Sequence, residues 1–529
     1  MKLRLTRSFS AGIAKIAVAG LAAGLLFGAA SAASAMVWSG DRPLIRTLDM
    51  AGSGVFDEFD GPAERAEFRH PAGVLVLGDG SVLAADSDNH RIRLIRDGEV
   101  SVFAGIPVSA VFDEAGLPAG ALNDGPAELA LFWNPAGLAA DKAGNVYVAD
   151  ANNHAIRKIS PSGEVATLAG NGVLGHRDGP GGEALFHYPT DVAVDDEGNV
   201  YVADTLNHAI RKITPQGEVT TLNALSARSV EVYEGVVAPA GGYADGPLTE
   251  ALFNEPSGLA IDAKGNLYVS DTGNQRIRYI DFAAGTVTTV AGGGELEANA
   301  LYVEGAYADG PAAEARFNGP KGIAAAPDGG LFIADSLNHA VRYLKDGRVH
   351  TVAGHPGGSH GHRNGFDEEA LLNYPADVAI DASGDLIVAD MLNNRIRKIE
   401  FYSLPEGWTS TGKIRMLLNN REIAAESPPE IRSGRTLAPL RTVAEAAGYT
   451  VEYENGEVTL AGEGIRVKLT VGVTEASVMD ANGGSTAVQL DAAPYLRGGA
   501  TYVPVRFLAE LAGFHVDWHD ETATVILRK

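Results

Sequence analysis

One pattern recurs six times in this chain, and it dictates the fold. An Asp is followed three residues later by Asn and seven residues later by Arg: Asp86, Asn89 and Arg93; Asp150, Asn153 and Arg157; Asp204, Asn207 and Arg211; Asp271, Asn274 and Arg278; Asp335, Asn338 and Arg342; Asp390, Asn393 and Arg397. The leading aspartates are spaced by 64, 54, 67, 64 and 55 residues. Repeats of this length are supersecondary units that cannot bury a core alone and must stack on their neighbours. Each phrase sits in the same frame. An apolar strand such as 137–141 is followed by a Gly-Asn turn, a second strand (146–150), the phrase itself, a third alternating strand (156–159), a Ser-Gly turn and a fourth strand (164–169). Short strands punctuated by Gly, Asn and Asp read as a four-stranded antiparallel blade. Six blades in a ring make a β-propeller.

The chain ends fit a closed ring. After the sixth phrase only 398–400 remain before the pattern stops, so the sixth blade lacks its fourth strand. Residues 44–52 resemble the fourth-strand segments 165–170 and 349–354. The N-terminal strand is therefore expected to complete the last blade and remove an open sheet edge.

The repeat resembles the NHL repeat family across residues 44–400. The family's Gly-Leu-Ala-x-Asp, Gly-Asn-x-Tyr-Val-Ala-Asp and Asn-x-x-Ile-Arg-x-Ile elements stand nearly complete at 137–159, 192–213 and 258–280. The resemblance implies a six-bladed propeller. It does not imply one function, since NHL propellers bind proteins or RNA and a few related ones are metal-dependent enzymes.

Because Asp, Asn and Arg recur in every blade, they are read as blade structure, the Arg bridging carboxylates or carbonyls of neighbouring blades. The repeated His90, His154, His208 and His339 alternate with Gln275 and Asn394, which makes them hydrogen-bonding turn residues. A second recurring phrase, Asp-Gly-Pro at 60, 124, 178, 245 and 309, leads to the anchoring residues Phe68, Phe132, Phe186, Phe253 and Phe317.

Recognition should then lie in what is not repeated. The insertions 106–123, 223–244 and 293–308 carry Tyr233, Tyr243, Tyr302 and Tyr307, which are taken as ligand-binding loop candidates. His350, His355, His360 and His362 lie in a Gly-rich region. His355, His360 and His362 are the candidates for a divalent metal site, although no carboxylate partner is evident beside them. No cofactor is otherwise predicted. No nucleophile–base constellation stands out, and the Gly292–Gly294 run lacks the Lys-Ser/Thr ending of a phosphate loop.

A second pattern begins after a Pro/Gly/Thr-rich linker at 401–412. Residues 435–453 match 500–518 at an offset of 65, so 413–529 is an internal duplication. Each half reads as a strand, a Pro-started helix ending at Gly, then a hairpin, an α+β pattern. The Val-Pro-x-Arg-x-x-Ala-Glu-x-x-Gly core at 503–513 resembles the copper amine oxidase N-terminal-like, or stalk, domain. That resemblance implies an extracellular accessory module. The oxidase chemistry of that family belongs to a separate catalytic domain, and nothing here resembles it. His515 and His519 are read as structural, and Arg441 and Arg506 as pairing with Glu445 and Glu510 one helical turn on.

Residues 1–35 read as a secretory signal. Lys2, Arg4, Arg7 and Lys15 precede an apolar run at 16–30, and Ala33-Ser34-Ala35 offers a cleavage site after Ala35. Removing these four basic residues takes the net charge from -25 to -29. A balance that acidic disfavours nucleic acid. With no cysteine, disulfides and thiolate metal sites are excluded. The expected molecule is a secreted or surface-associated bacterial protein, monomeric and without a membrane span after cleavage. It has a propeller at 36–400 and a stalk domain at 413–529. Its expected role is a non-enzymatic scaffold for an extracellular protein or a cell-wall glycan. The competing reading is a metal-dependent hydrolase or lyase with its site in the central channel.

Overall fold

The computed structural model describes residues 36–106, 112, 118–233, 235–462, 464–480 and 482–529. The predicted signal segment lies outside the described residues, as does most of the 106–123 insertion. Among the described residues no helix is long and apolar enough to cross a membrane.

Six antiparallel sheets form the propeller. In blade 2 the strands run Pro135–Ala140, Val146–Asp150, Ala155–Ile159 and Glu164–Ala169 from the axis outward. The innermost strands of the other blades are Pro71–Val76, Pro189–Val194, Pro256–Ile261, Pro320–Ala325 and Pro375–Ile380. In blade 6 the N-terminal strand Ile45–Ala51 pairs with Arg395–Phe401, Arg46 opposite Glu400, and closes the ring as expected. Each sheet also has a fifth member that the sequence does not announce. Gly125–Pro126 pairs with Glu164 and Val165 on the outer edge of blade 2, and a Gly-Pro strand recurs in every other blade but the sixth, where it is Gly365–Phe366. A Pro there cannot donate to a further strand, so the outer edge is closed to pairing with another chain.

Apolar residues of adjacent blades interlock. Tyr147 and Ala149 of blade 2, for example, pack with Val192, Val200 and Val202 of blade 3. The Asp and Arg of the recurring triad are buried within each blade. The Arg157 guanidinium donates to Asp150 Oδ2 (2.7 Å), to Asp124 Oδ1 (2.7 Å) and to the carbonyls of Leu131 and Asn123 (both 2.7 Å). It also lies 4.9 Å from the centre of the Phe132 ring. Asn153 donates to the same Asp150 carboxylate. Both Arg157 and Asp150 are fully buried. The guanidinium thus ties its own blade to the connection that leads into it, and does not reach a neighbouring blade as the sequence suggested. Burial pushes Asp150 and Asp204 up to about 6, which leaves them ionised at neutral pH opposite Arg157 and Arg211. In blade 6, Asn364 takes the place of the second Asp and Asp49 of the N-terminal strand supplies the missing carboxylate.

The C-terminal region folds as the duplication predicts. Strands Arg435–Pro439 and Ala500–Pro504 pair with each other, and each leads into a short helix, α1 (Leu440–Ala446) or α2 (Val505–Leu511). A five-stranded meander, 450–489, covers one side, and Val443, Val467, Leu469, Leu508 and Phe514 share one core. Arg441 and Glu445 approach to 3.8 Å on the exposed face of α1; among the described residues no ion pair joins Arg506 to Glu510.

The expected linker is not a loose tether at its start. Tyr402 is buried with Val37 and Leu44 of the N-terminal segment and Leu417 and Ile526 of the C-terminal domain. Arg528, 2% exposed, donates to Asp367 of blade 6 (2.6 and 2.8 Å), Asp517 (2.8 Å) and the Ile45 carbonyl (3.2 Å).

Arg157→Ala leaves the Asp150 carboxylate buried without its counter-charge. The expected loss is about 3–5 kcal/mol of unfolding free energy in denaturant titration. The double variant Arg157→Met/Asp150→Asn should recover part of it, because the orphaned charge is gone.

Candidate ligand-binding mouth of the central channel

The innermost strands begin at one face of the disc, and the residue before each opening Pro has a left-handed backbone: His70, Asn134, Tyr188, Glu255, Gly319 and Tyr374, with φ between 49° and 65°. For non-glycine residues this conformation is costly and tends to persist where surrounding structure fixes it. Here the fixing contact is visible. The turn residue of each blade, itself left-handed, accepts the rim N–H of the next blade. The Asn134 N–H donates to His90 Nδ1, Tyr188 to His154, Glu255 to His208 and Tyr374 to His339, all at 3.1 Å. Gly319 donates to Gln275 Oε1 (2.6 Å), and His70 to Asn394 Oδ1 (3.2 Å), which completes the circle. These turn residues carry the blade-to-blade tie. Each imidazole must be neutral with its proton on Nε2. For His90 this is consistent with Nε2 lying 2.7 Å from the Pro118 carbonyl. Burial holds all four imidazoles below their ordinary value, His208 at about 4.

Below the rim the third residue of the inner strand alternates in a pattern that halves the ring: Gly73, Gly137, Asp191, then Gly258, Gly322, Asp377. The glycines are required by close approach; a Cβ on Gly137 would lie 1.9 Å from the Asp191 carboxylate, and one on Gly322 2.0 Å from that of Asp377. The two carboxyls span the seams between the halves. Asp191 accepts from Val192 (2.8 Å) and from Leu259 of blade 4 (2.7 Å); Asp377 accepts from Val378 (2.8 Å) and from Val74 of blade 1 (2.9 Å). Burial raises both, Asp377 to about 7, and the facing Asp377 raises Asp191 further. They form the floor of a vestibule of about 240 Å³ on the rim side, flanked by Tyr188, Tyr374, Ser87 and Lys321. On their other side lies a cavity of about 290 Å³ with apolar walls that include Val74, Leu138, Val192, Leu259 and Ile323.

The residues singled out from sequence fall in different places. Tyr302 reaches the rim, donating to Glu255 (2.9 Å). Tyr243 and Tyr307 lie over Arg278 and Arg342 at 4.8 and 4.6 Å and cover those clamps. Tyr233 is 77% exposed at the end of a two-stranded hairpin, 229–239. The histidines have separate partners. His362 meets the Asp49 carboxylate (2.9 Å), His360 stacks on His339 (4.4 Å), His355 Nδ1 accepts from the Gly357 N–H (3.0 Å), and His350 contacts the Asp41 carbonyl (2.8 Å). No group of three such side chains converges among the described residues. Sequence reasoning missed the rim and the two channel aspartates. Both were marked, by position before the strand-opening Pro and by Asp where four blades have Gly.

Comparison with known families adds the lineage. The NHL repeat matches residues 132–159, 186–213, 253–278 and 372–399, and the copper amine oxidase N-terminal domain matches 417–527. The chain carries NHL repeats and a copper amine oxidase N-terminal domain. The chain is 35% identical over 289 residues to Protein SUPPRESSOR OF QUENCHING 1, chloroplastic, of Arabidopsis thaliana, covering 53% of this chain and 26% of that protein. It is 25% identical over 438 residues to NHL repeat-containing protein 2 of Homo sapiens, covering 77% of this chain and 57% of that one. This chain therefore spans between a quarter and little more than half of these relatives. A solved structure of a protein of unknown function from Bacteroides thetaiotaomicron is 21% identical with a TM-score of 0.48, covering 67% of this chain and 76% of that one.

In the NHL ring the neutral His208 has a stability consequence. Its folded value of about 4 lies below the ordinary 6.5, so between those values the unfolded chain binds more protons. This contribution is complete above about pH 6.5 and is lost as pH falls toward 4. His208→Gln, which copies Gln275, should show a smaller drop in melting temperature between pH 7 and pH 5 than the parent protein. An equal drop in both would mean that His208 is not the group titrating.

Proposed function

We propose that this protein is a secreted bacterial binding scaffold. Its propeller recognises an extracellular protein or a cell-wall glycan with the face that carries the channel mouth, and its C-terminal domain acts as a spacer held against blade 6. The carrying observation is a contrast between two rings of equivalent positions. The clamp residues Asp150, Asn153 and Arg157 are repeated in every blade. The rim positions, built on the same backbone geometry, hold His, Asn, Tyr, Glu, Gly and Tyr. Packing demands would make such positions alike, so their variety is attributed to contact with a partner.

The reading as a metal-dependent hydrolase or lyase has one observation in its favour, the two carboxyls that converge in the channel. Each is already committed to two backbone N–H groups, and no imidazole lines the vestibule with them. That donor set does not fit a metal centre.

The test is co-sedimentation of the chain from Met36 onward with purified cell-wall sacculi, beside the double variant Tyr188→Gly/Tyr374→Gly. Glycine is tolerated at this position, as Gly319 shows, and relieves the left-handed backbone, so the melting temperature should not fall. The pelleted fraction should drop about tenfold, the loss expected when two central aromatic contacts are removed. Equal pelleting of both proteins would move the contact away from the channel mouth.

A further inference from the structure

Charges of both signs are built into the vestibule at the channel mouth, and this selects its occupant. Lys321 supplies an ammonium. Among the described residues no protein group hydrogen-bonds it, and it interacts electrostatically with Glu255. The hydroxyls of Tyr188, Tyr374 and Ser87 are equally without a protein partner. Around and beneath them stand four carboxyls: Asp191 and Asp377 at the floor, Glu255 on the rim, and Asp88, held by His70 (2.8 Å) and Asn134 (2.7 Å). A simple cation entering here meets Lys321, and a simple anion meets Glu255 and Asp88 in a protein whose net charge is -25. What satisfies both is a neutral group that donates and accepts at every edge, which is the property of a hydroxyl.

The walls specify the shape of that group. Tyr188 and Tyr374 belong to blades 3 and 6, on opposite sides of the ring, and each is held at the rim by the N–H bond to its neighbouring blade. Both line the same vestibule, and two aromatic side chains entering it from opposite blades can offer apolar surface to a flat ring while its edge points down and outward. A volume of about 240 Å³ lies below the ~300 Å³ at which drug-sized sites begin, so one ring fits and a folded protein loop does not.

From the paired tyrosines, the lone ammonium and the carboxyl floor we infer that the vestibule is a saccharide subsite, taking one neutral, hydroxyl-rich sugar ring at the end of a glycan. The ring sits between Tyr188 and Tyr374, with its hydroxyls donating to Asp191 and Asp377 and accepting from Lys321. This inference rests on the channel mouth being the recognition face, and it decides between the two partner classes named above in favour of the glycan.

The experiment measures binding of single small probes to the full chain from Met36 onward by saturation-transfer NMR and calorimetry. N-acetylglucosamine and glucose are the sugar probes, glycine the zwitterion and inorganic phosphate the anion. A single ring should bind with a dissociation constant on the order of millimolar. Tyr188→Gly and Tyr374→Gly should each weaken it at least about fivefold with no loss of melting temperature, and Lys321→Met should weaken it by a similar factor. Sugar binding that survives both tyrosine variants would place the sugar elsewhere and overturn the inference. Binding of glycine or phosphate with no response to either sugar would overturn it in favour of a charged ligand. If neither sugar binds while sacculi still pellet only with the tyrosines present, the sugar class fails and the recognition face stands. If sacculi pellet regardless of the tyrosines and no sugar binds, both fail together.

Discussion

One buried guanidinium organises each blade. Arg93, Arg157, Arg211, Arg278, Arg342 and Arg397 are all fully buried, and each gathers a strand-end carboxylate, connection carbonyls and, in every blade but the sixth, the face of an anchoring Phe. Such a charge is tolerable inside a protein only when its donors are met by well-placed acceptors. The geometry of that satisfaction fixes where the incoming connection crosses the sheet, where the innermost strand begins, and hence where the rim residue stands. The clamp is an intrablade device. A separate circle of turn residues, accepting one backbone N–H each, carries that fixed geometry from blade to blade.

These two levels differ in how readable they were. The clamp was legible because its members are close in sequence and recur six times in register. Closure of blade 6 by Ile45–Ala51 was legible because the last repeat stops one strand short. The two-residue outer strands were not, since Gly-Pro carries no periodicity of its own. The role of His90 and its counterparts was half legible. Its place in a turn follows from the sequence, but its acceptor bond to Asn134, 44 residues on, depends on how blades stack. The placement of the insertion tyrosines was hidden for a related reason. Tyr243 and Tyr307 look like loop aromatics in one dimension, yet the ring folds them back over the clamps of their own blades.

The channel shows a symmetry that the six-fold repeat conceals. Gly-Gly-Asp occurs twice around the axis, and the equivalent aspartates Asp86 and Asp271, or Asp150 and Asp335, are 185 residues apart. Blades 1–3 and 4–6 are thus two copies of one half. Asp191 and Asp377 mark the joins, and Tyr188 and Tyr374 stand above them. Since opposite tyrosines and opposite carboxyls arise in pairs, whatever enters the mouth meets matching walls from two sides, with His70 opposite Glu255 and Asn134 opposite Gly319 breaking the match.

The left-handed rim has an evolutionary consequence. Five side chains and one glycine stand on peptides whose N–H groups are already fixed by the preceding blade, so exchanging any of these residues disturbs neither a core nor a clamp. The backbone also biases the exchange, with Gly and Asn entering freely and bulky residues at a cost. Such a rim can be rewritten one letter at a time on an unchanged scaffold, and a lineage keeps a tyrosine there only while something rewards it.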